Sequence, residues 1–352
     1  MNQRTTLLVV AILAAVAIIS TIVFVTGGSD DAGAPEGVAD LAGPEGNAPP
    51  RDDETPALDT PLNEAAPDNP DGQVDLAYGA FQRGLYREAL SHALPLAEEG
   101  NTAAQTLIGM LYQQGFAIPQ DLEEAAGWFE LAAAAGDPHA QLALALSYVD
   151  GAGVEEDRGR AIELFRQAAE QDLPVAHYNL GLAYIEGSGL EQDFSLAAEH
   201  LSQAAEDGVS EAQYALAQLY IVGEGVIRSE EIANRWLLRA AEAGLVDAQI
   251  EYAIRVFNGV GTVPDQVEGA RWFRMAALAG NPVGHARYGL LLANGAGVDE
   301  DPIEAGKHYL LARSAGLDDA MLSDFFSTLS PEEQEAALAA AQTDAQLVFG
   351  GG

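Results

Sequence analysis

The sequence predicts an all-α chain folded as an α/α solenoid of about seven helix pairs, with an N-terminal transmembrane helix and a disordered linker ahead of it. Two observations predict the solenoid. Glycines recur at a fixed 36-residue interval, Gly115, Gly151, Gly187, Gly223, Gly259 and Gly295, with no insertion or deletion. Other columns keep the same phase: Ala132, Ala168, Ala204, Ala240, Ala276 and Ala312, and a tyrosine column of Tyr112, Tyr148, Tyr184 and Tyr220 continued by Val256 and Leu292. A period of about 20–50 residues marks a solenoid, because one helix pair cannot bury its apolar face alone. A third observation, a sharp change of composition near residue 73, separates this body from the segment before it.

Leu7–Val25, "LLVVAILAAVAIISTIVFV", is a run of 19 residues with only Ser20 and Thr21 polar. As a helix rising ~1.5 Å per residue it spans most of a ~30 Å hydrocarbon core. A cleaved secretory signal peptide is the alternative. The run exceeds the usual ~7–15 residues of such a peptide and lacks a clear Ala-x-Ala site after it. Either segment exports the rest of the chain. Arg4 precedes the run and no base appears after it until Arg51, so residues 1–26 are expected to be a signal anchor with a cytoplasmic N-terminus and the body outside.

Residues 27–72 hold eight of the sixteen prolines, seven glycines, twelve acids and one base. Almost nothing large and apolar is present to offset the entropy of ordering, so this is expected to be a disordered, self-repelling linker. Residues 73–100 read as a shortened first unit, Asn101 to Gly316 as six full units, and 317–352 as C-terminal capping helices and a tail. Within that tail Ser330-Pro331-Glu332-Glu333 has the spacing of a capping box.

Each unit divides into an A helix and a B helix. In the third unit A begins near Pro174 and carries Ala176, Leu180, Gly181 and Tyr184 along one stripe. Asp137-Pro138 and Asn281-Pro282 supply a capping side chain followed by proline at the first helical position. The fixed glycine stops helix A, and Asp121, Asp157, Asp193, Ser229, Asp265 and Asp301 stand where helix B begins. Asp121 with Glu124, Asp265 with Glu268 and Asp301 with Glu304 have capping-box spacing. Thr262, Gly269 and Gly284 depart from their columns and are expected to loosen the fifth and sixth units.

The unit "AHYNLGLAYIEGSGLEQDFSLAAEHLSQAAEDG", Ala176 to Gly208, resembles the Sel-one-like repeat (SLR) family, a branch of the tetratricopeptide-like solenoids. The resemblance implies a right-handed superhelix acting as an adaptor for protein complexes, in bacterial members at the cell envelope. On that reading the chain is a single-pass protein of the bacterial inner membrane. Its repeat body is periplasmic, and it is a scaffold rather than an enzyme. An envelope glycan-binding or glycan-modifying module is the alternative.

The chemistry of the side chains agrees with binding. The formal net charge is -38, from 54 acids against 16 bases, which repels nucleic acid and anionic headgroups. Cysteine is absent, which excludes disulfides and thiol chemistry. "DGAGVEED", Asp150 to Asp157, looks like half of a phosphate cradle. It comes after a helix, recurs through the repeat and is ringed by acids, whereas a phosphate cradle comes after a strand. His92, His200 and His308 share the column of Trp128, Trp236 and Trp272; His177 and His285 share that of Gln105, Gln141, Gln213 and Gln249. Packing or hydrogen bonding explains such exchanges, and His139 stands alone. No catalytic residue, cofactor or metal site is predicted. The expected partner is a protein or peptide, with the membrane engaged only through the N-terminal helix. The candidate partner-binding face is the variable side of the A helices, carrying Asn179, Glu186, Glu251, Arg255, Asn258, Arg287 and Asn294.

Overall fold

The computed structural model describes residues 70–349. The expected anchor at Leu7–Val25 and nearly all of the expected linker lie outside the described residues. Among these residues there are sixteen α-helices and no strand. An N-terminal pair, α1 (Pro70–Gln82) and α2 (Tyr86–Glu98), starts three residues earlier than expected, at Pro70. Six A/B pairs come next. They are α3 (Thr102–Gln114) with α4 (Leu122–Ala134), α5 (Pro138–Asp150) with α6 (Arg158–Ala169), and α7 (Pro174–Glu186) with α8 (Phe194–Glu206). The other three are α9 (Ser210–Val222) with α10 (Glu230–Glu242), α11 (Val246–Asn258) with α12 (Gln266–Leu278), and α13 (Pro282–Asn294) with α14 (Pro302–Ser314). α15 (Ala320–Thr328) and α16 (Pro331–Phe349) close the described chain.

The elbow between A and B is made by two glycines with different tasks. Gly151, at φ +67°, ends α5 in the left-handed region that a Cβ disfavours. Gly153, at φ +76°, lies so close to the preceding unit that a Cβ would sit 1.9 Å from the carbonyl oxygen of Leu122, the first residue of α4. The second glycine therefore joins one unit to the last. After it Val154 packs against the core, and the chain enters helix B through Asp157, whose side chain accepts from Arg160 N at 3.0 Å.

The backbone N–H of each B-helix cap is already engaged. Asp121 N donates to Tyr112 O at 3.1 Å, Asp157 N to Tyr148 O at 3.0 Å and Asp265 N to Val256 O at 2.9 Å. The expected reciprocal boxes are therefore not the bonds that form: Glu268 accepts from Trp272 Nε1 at 2.7 Å, and Glu304 pairs with Lys307 at 2.6 Å. The box at the last helix does close, with Ser330 N donating to Glu333 at 2.8 Å and Glu333 N to Ser330 Oγ at 3.3 Å.

The core is a ladder. Phe129, Phe165, Leu201, Leu237, Phe273 and Tyr309, 36 residues apart in sequence, are all buried, and burial of such a side chain contributes about 1.5–3 kcal/mol. Small residues on the A helices make room for them; a Cβ at Gly109 would meet the Phe129 ring at 2.5 Å. The same logic reverses the expected loosening at Gly269 and Gly284. A Cβ at Gly269 would lie 2.7 Å from Phe257 Cβ, and one at Gly284 2.6 Å from Ala277 N. Both glycines are seats of closer packing. α16 covers the last pair: Ala337 is fully buried, and Lys307 of α14 reaches Asp344 at 3.1 Å.

Candidate functional site

The predicted residues all lie on A helices, in different surroundings. Asn179 is part-buried and its Nδ2 donates to Val175 O at 2.7 Å. Asn258 and Asn294 are exposed, and each donates to the carbonyl four residues earlier at 2.7 Å, Ile254 and Leu290. Arg287 is exposed. Glu186 is exposed over much of its length, while desolvation around its carboxyl raises its pKa against the pull of Arg158.

Arg255 does not belong with them. It is 7 % exposed, its Nε donates to Asn234 Oδ1 at 2.6 Å, and its guanidinium pairs with Glu230. Asn234 in turn donates to Val260 O at 2.7 Å. A long basic side chain at this position reaches across to helix B and ties α10, α11 and the next elbow together. An alanine there removes packing and a buried network, so its effect on binding cannot be separated from the fold.

Glu251 sits in the middle of a group that single-column patterns do not reveal. Gln218 Nε2 donates to Glu251 Oε2 at 2.6 Å, and the Tyr214 hydroxyl donates to the same carboxylate. Burial nevertheless dominates and raises the Glu251 pKa, with the Gln218 bond and Arg255 opposing it. Burial also raises the phenol of Tyr214, with Glu251 and Asp247 adding to it, and that of Tyr178, with Glu211 and Glu186 adding to it. One register relation explains both: Tyr178 precedes Glu211, and Tyr214 precedes Asp247, by 33 residues. A tyrosine on one A helix thus meets an acid in the first turn of the next. That offset was the available signal. Gln218 interrupts an otherwise apolar column of Leu146, Leu182, Ile254 and Leu290, of which Leu182 is buried in the core.

A second arrangement not foreseen from the sequence joins histidines of two separate columns. His177 Nδ1 and His200 Nδ1 are 3.0 Å apart, and His285 Nδ1 and His308 Nδ1 2.8 Å. The ring centroids are 5.3 and 5.0 Å apart, so the nitrogens meet head to head and one Nδ1–H donates to the other ring. Burial, then His177, lowers the pKa of His200, with Arg166 acting in the same sense and Glu199 opposing. Burial lowers that of His285, with Lys307 in the same sense and Asp344 opposing. His308 is pushed down to about 3 by burial, then by His285, Lys307 and Arg274. Among the described residues no group of three or more His, Asp or Glu side chains is arranged to hold a metal ion.

A family model for the Sel1 repeat matches six consecutive segments, 102–137, 138–173, 174–209, 210–245, 246–281 and 282–317. The chain belongs to the Sel1 repeat family. No curated protein matches the sequence. Among solved structures, a Sel1 repeat protein from Oxalobacter formigenes is similar at 32 % identity and a TM-score of 0.63, over 69 % of this chain and 99 % of that one. The protein c5321, a protective antigen of uropathogenic Escherichia coli strains with an SLR fold, is similar at 28 % identity and a TM-score of 0.50, over 77 % of this chain and 68 % of that one. Sel1 repeat proteins commonly mediate protein–protein interactions, and their solenoid is typically a non-catalytic interaction scaffold. In this Sel1 repeat body the tyrosine–acid stretch lies in the third to fifth repeats, and the paired histidines lie in the third and sixth.

Proposed function

We propose that the chain is a scaffold that holds a protein partner along the A-helix face of its repeats, anchored by Leu7–Val25 in a bacterial inner membrane with the repeat body on the periplasmic side. One observation carries the binding reading. Columns that pack and turn the chain repeat in phase, whereas the A-helix face from Tyr178 to Glu251 breaks phase and concentrates partly desolvated polar groups. Groups already stripped of water lose little more when a partner covers them. The apolar run and the lack of any base between Arg4 and Arg51 support the topology.

Photo-cross-linkers placed at Asp247 and Glu186 in cells are expected to trap a discrete partner adduct, and one at Glu231 on the B-helix side to trap none. Equal adducts at all three positions would remove the A-helix face. Protease added to intact spheroplasts should shorten the protein, and complete protection would overturn the periplasmic assignment.

A further inference from the structure

The outward stripe of α12 differs from its counterparts. Val267, Arg271, Arg274, Met275 and Leu278 are all exposed, Val267 and Leu278 to 68 % each, and none is an acid. Two units earlier the same five columns hold Ser195, Glu199, Ser202, Gln203 and Glu206. The stripe on α14 lacks acids too, but α16 covers that helix, and Lys307 is engaged by Glu304 and Asp344. On α10 the stripe keeps Glu231 and Glu242 at its ends, with Arg235 and Arg239 between them. Arg239 lies 4.8 Å over the Trp236 ring, in an open cleft of about 350 Å³. The elbow leading into α12 rests on α10, where Asn234 donates to Val260 O at 2.7 Å, and its Val263 is 81 % exposed. Arg235, Arg239 and Arg274 make no ion pair within 4 Å among the described residues, and Arg271 meets only Glu268, at 3.5 Å. Four of the sixteen bases of a chain with net charge -38 thus stand together among exposed apolar side chains.

The geometry points to the chain's own residues 30–45, "DDAGAPEGVADLAGPE", as the segment that docks on this basic and apolar face of the fourth and fifth repeats. Charge is complementary. The segment has five acids and no base, and the guanidinium fork matches a carboxylate bidentately. Val38 and Leu41 stand between its acids, as Val267, Met275 and Leu278 flank the bases of α12. Length permits the contact. The described helices begin at Pro70, and eleven steps lead from α1 to α12. Neighbouring helices lie ~8–10 Å apart, so the path is about 110 Å at most. Forty residues separate Asp30 from Pro70, and at ~3.3 Å each they span about 130 Å when extended. Acids nearer Pro70, such as Glu64 and Asp68, fall short. The covalent link makes docking intramolecular, so contacts that are weak one by one act together. Acids elsewhere on the body repel the segment and steer it to this face. The A-helix face stays free, and the inference does not depend on the scaffold reading.

The test uses the full chain in nanodiscs of zwitterionic phosphatidylcholine, with a benzophenone amino acid replacing Leu278 and adducts mapped by mass spectrometry. Expected is an adduct of monomer mass joined to residues 30–45. Its yield should be at least about threefold that from the same cross-linker at Glu206, the matching exposed position on α8. R271Q/R274Q should lower the yield at least about threefold, and so should D30N/D31N/E36Q/D40N/E45Q. Raising salt from about 0.15 M to about 1 M should act in the same direction. The second variant changes no residue of the repeat body, so it reads docking even where the first disturbs α12. An adduct of dimer mass, or one to lipid, would give this face to a second copy or to the bilayer and overturn the proposal. So would the absence of any adduct to residues 30–45, equal yields at Leu278 and Glu206, or a yield indifferent to both charge variants.

Discussion

The third and fourth units have the same helix lengths and the same elbow, yet the same two columns bond differently in them. In the third, His177 and His200 meet through their Nδ1 atoms at 3.0 Å. In the fourth the same two columns hold Gln213 and Trp236. Gln213 Nε2 donates to Ala205 O at 3.0 Å, and its Oε1 is buried with no partner among the described residues. The sixth unit repeats the histidine solution with His285 and His308, and the fifth repeats the glutamine one with Gln249 and Trp272. The difference teaches that one column has two uses with opposite weaknesses: histidine ties helix A to helix B of its own unit, and glutamine ties it to helix B of the unit before. Glutamine with tryptophan fills space at any pH but leaves an acceptor unsatisfied, which costs about 1–3 kcal/mol. Paired imidazoles satisfy each other only while at least one is neutral.

The largest expected effect concerns what the two units share. Gly225→Ala sets a Cβ 2.0 Å from Phe194 O, and Gly189→Ala sets one 2.8 Å from Arg158 O, both at positive φ. Each should cost about 3 kcal/mol or more, G225A the more, seen as a lowered urea midpoint. A tolerated G225A would show that the elbows are not equivalent.

Next comes acid. The folded pKa values of His200, His285 and His308 lie below the ordinary value of 6.5. The unfolded chain therefore binds more protons, so stability is complete above about pH 6.5 and falls as pH falls. For His308, held at about 3, the loss by pH 5 is about 2 kcal/mol. Amide exchange, corrected for its intrinsic pH dependence, should accelerate in the third and sixth units between pH 7 and 5 and less in the fourth. Transplanting the fourth unit's closure as H177Q/H200W should remove the third unit's response. An unaltered acid response in that double variant would break the comparison.

The caps give a smaller difference. Asp193 Oδ1 accepts from Ser195 N at 2.8 Å and Leu196 N at 3.1 Å, whereas Ser229 Oγ accepts only from Ile232 N at 3.3 Å. D193A should cost about 1 kcal/mol in thermal or urea unfolding, and S229A about half of that. Smallest of all, Arg287→Ala and Asn258→Ala on the exposed A-helix face should change stability by less than about 0.5 kcal/mol. A larger loss would show that these residues hold the fold.

Much of this was legible without coordinates because it is local. Where helices stop, which residue caps the next and which column is small depend on φ, hydrogen-bonding geometry and the 36-residue period. The resemblance to the SLR family rested on those columns. What escaped was every relation across columns. Arg255 looked like a variable surface residue, since its column also holds Ser147 and Ala183; only the approach of α10 shows that it reaches Glu230 and Asn234. The seat of the second glycine on the preceding unit likewise depends on how the units stack.

By itself, then, the sequence determined the helices, their turns and their number, because those depend on residues within a few positions of one another. It also set the charge that decides which partners are repelled. Tertiary structure alone decided that two histidine columns form pairs, that Gln218 reaches the carboxylate of Glu251, and that Arg255 reaches Asn234 and Glu230. Those facts depend on which faces meet when one unit packs on the next, and periodicity fixes the spacing of such faces without fixing their contacts.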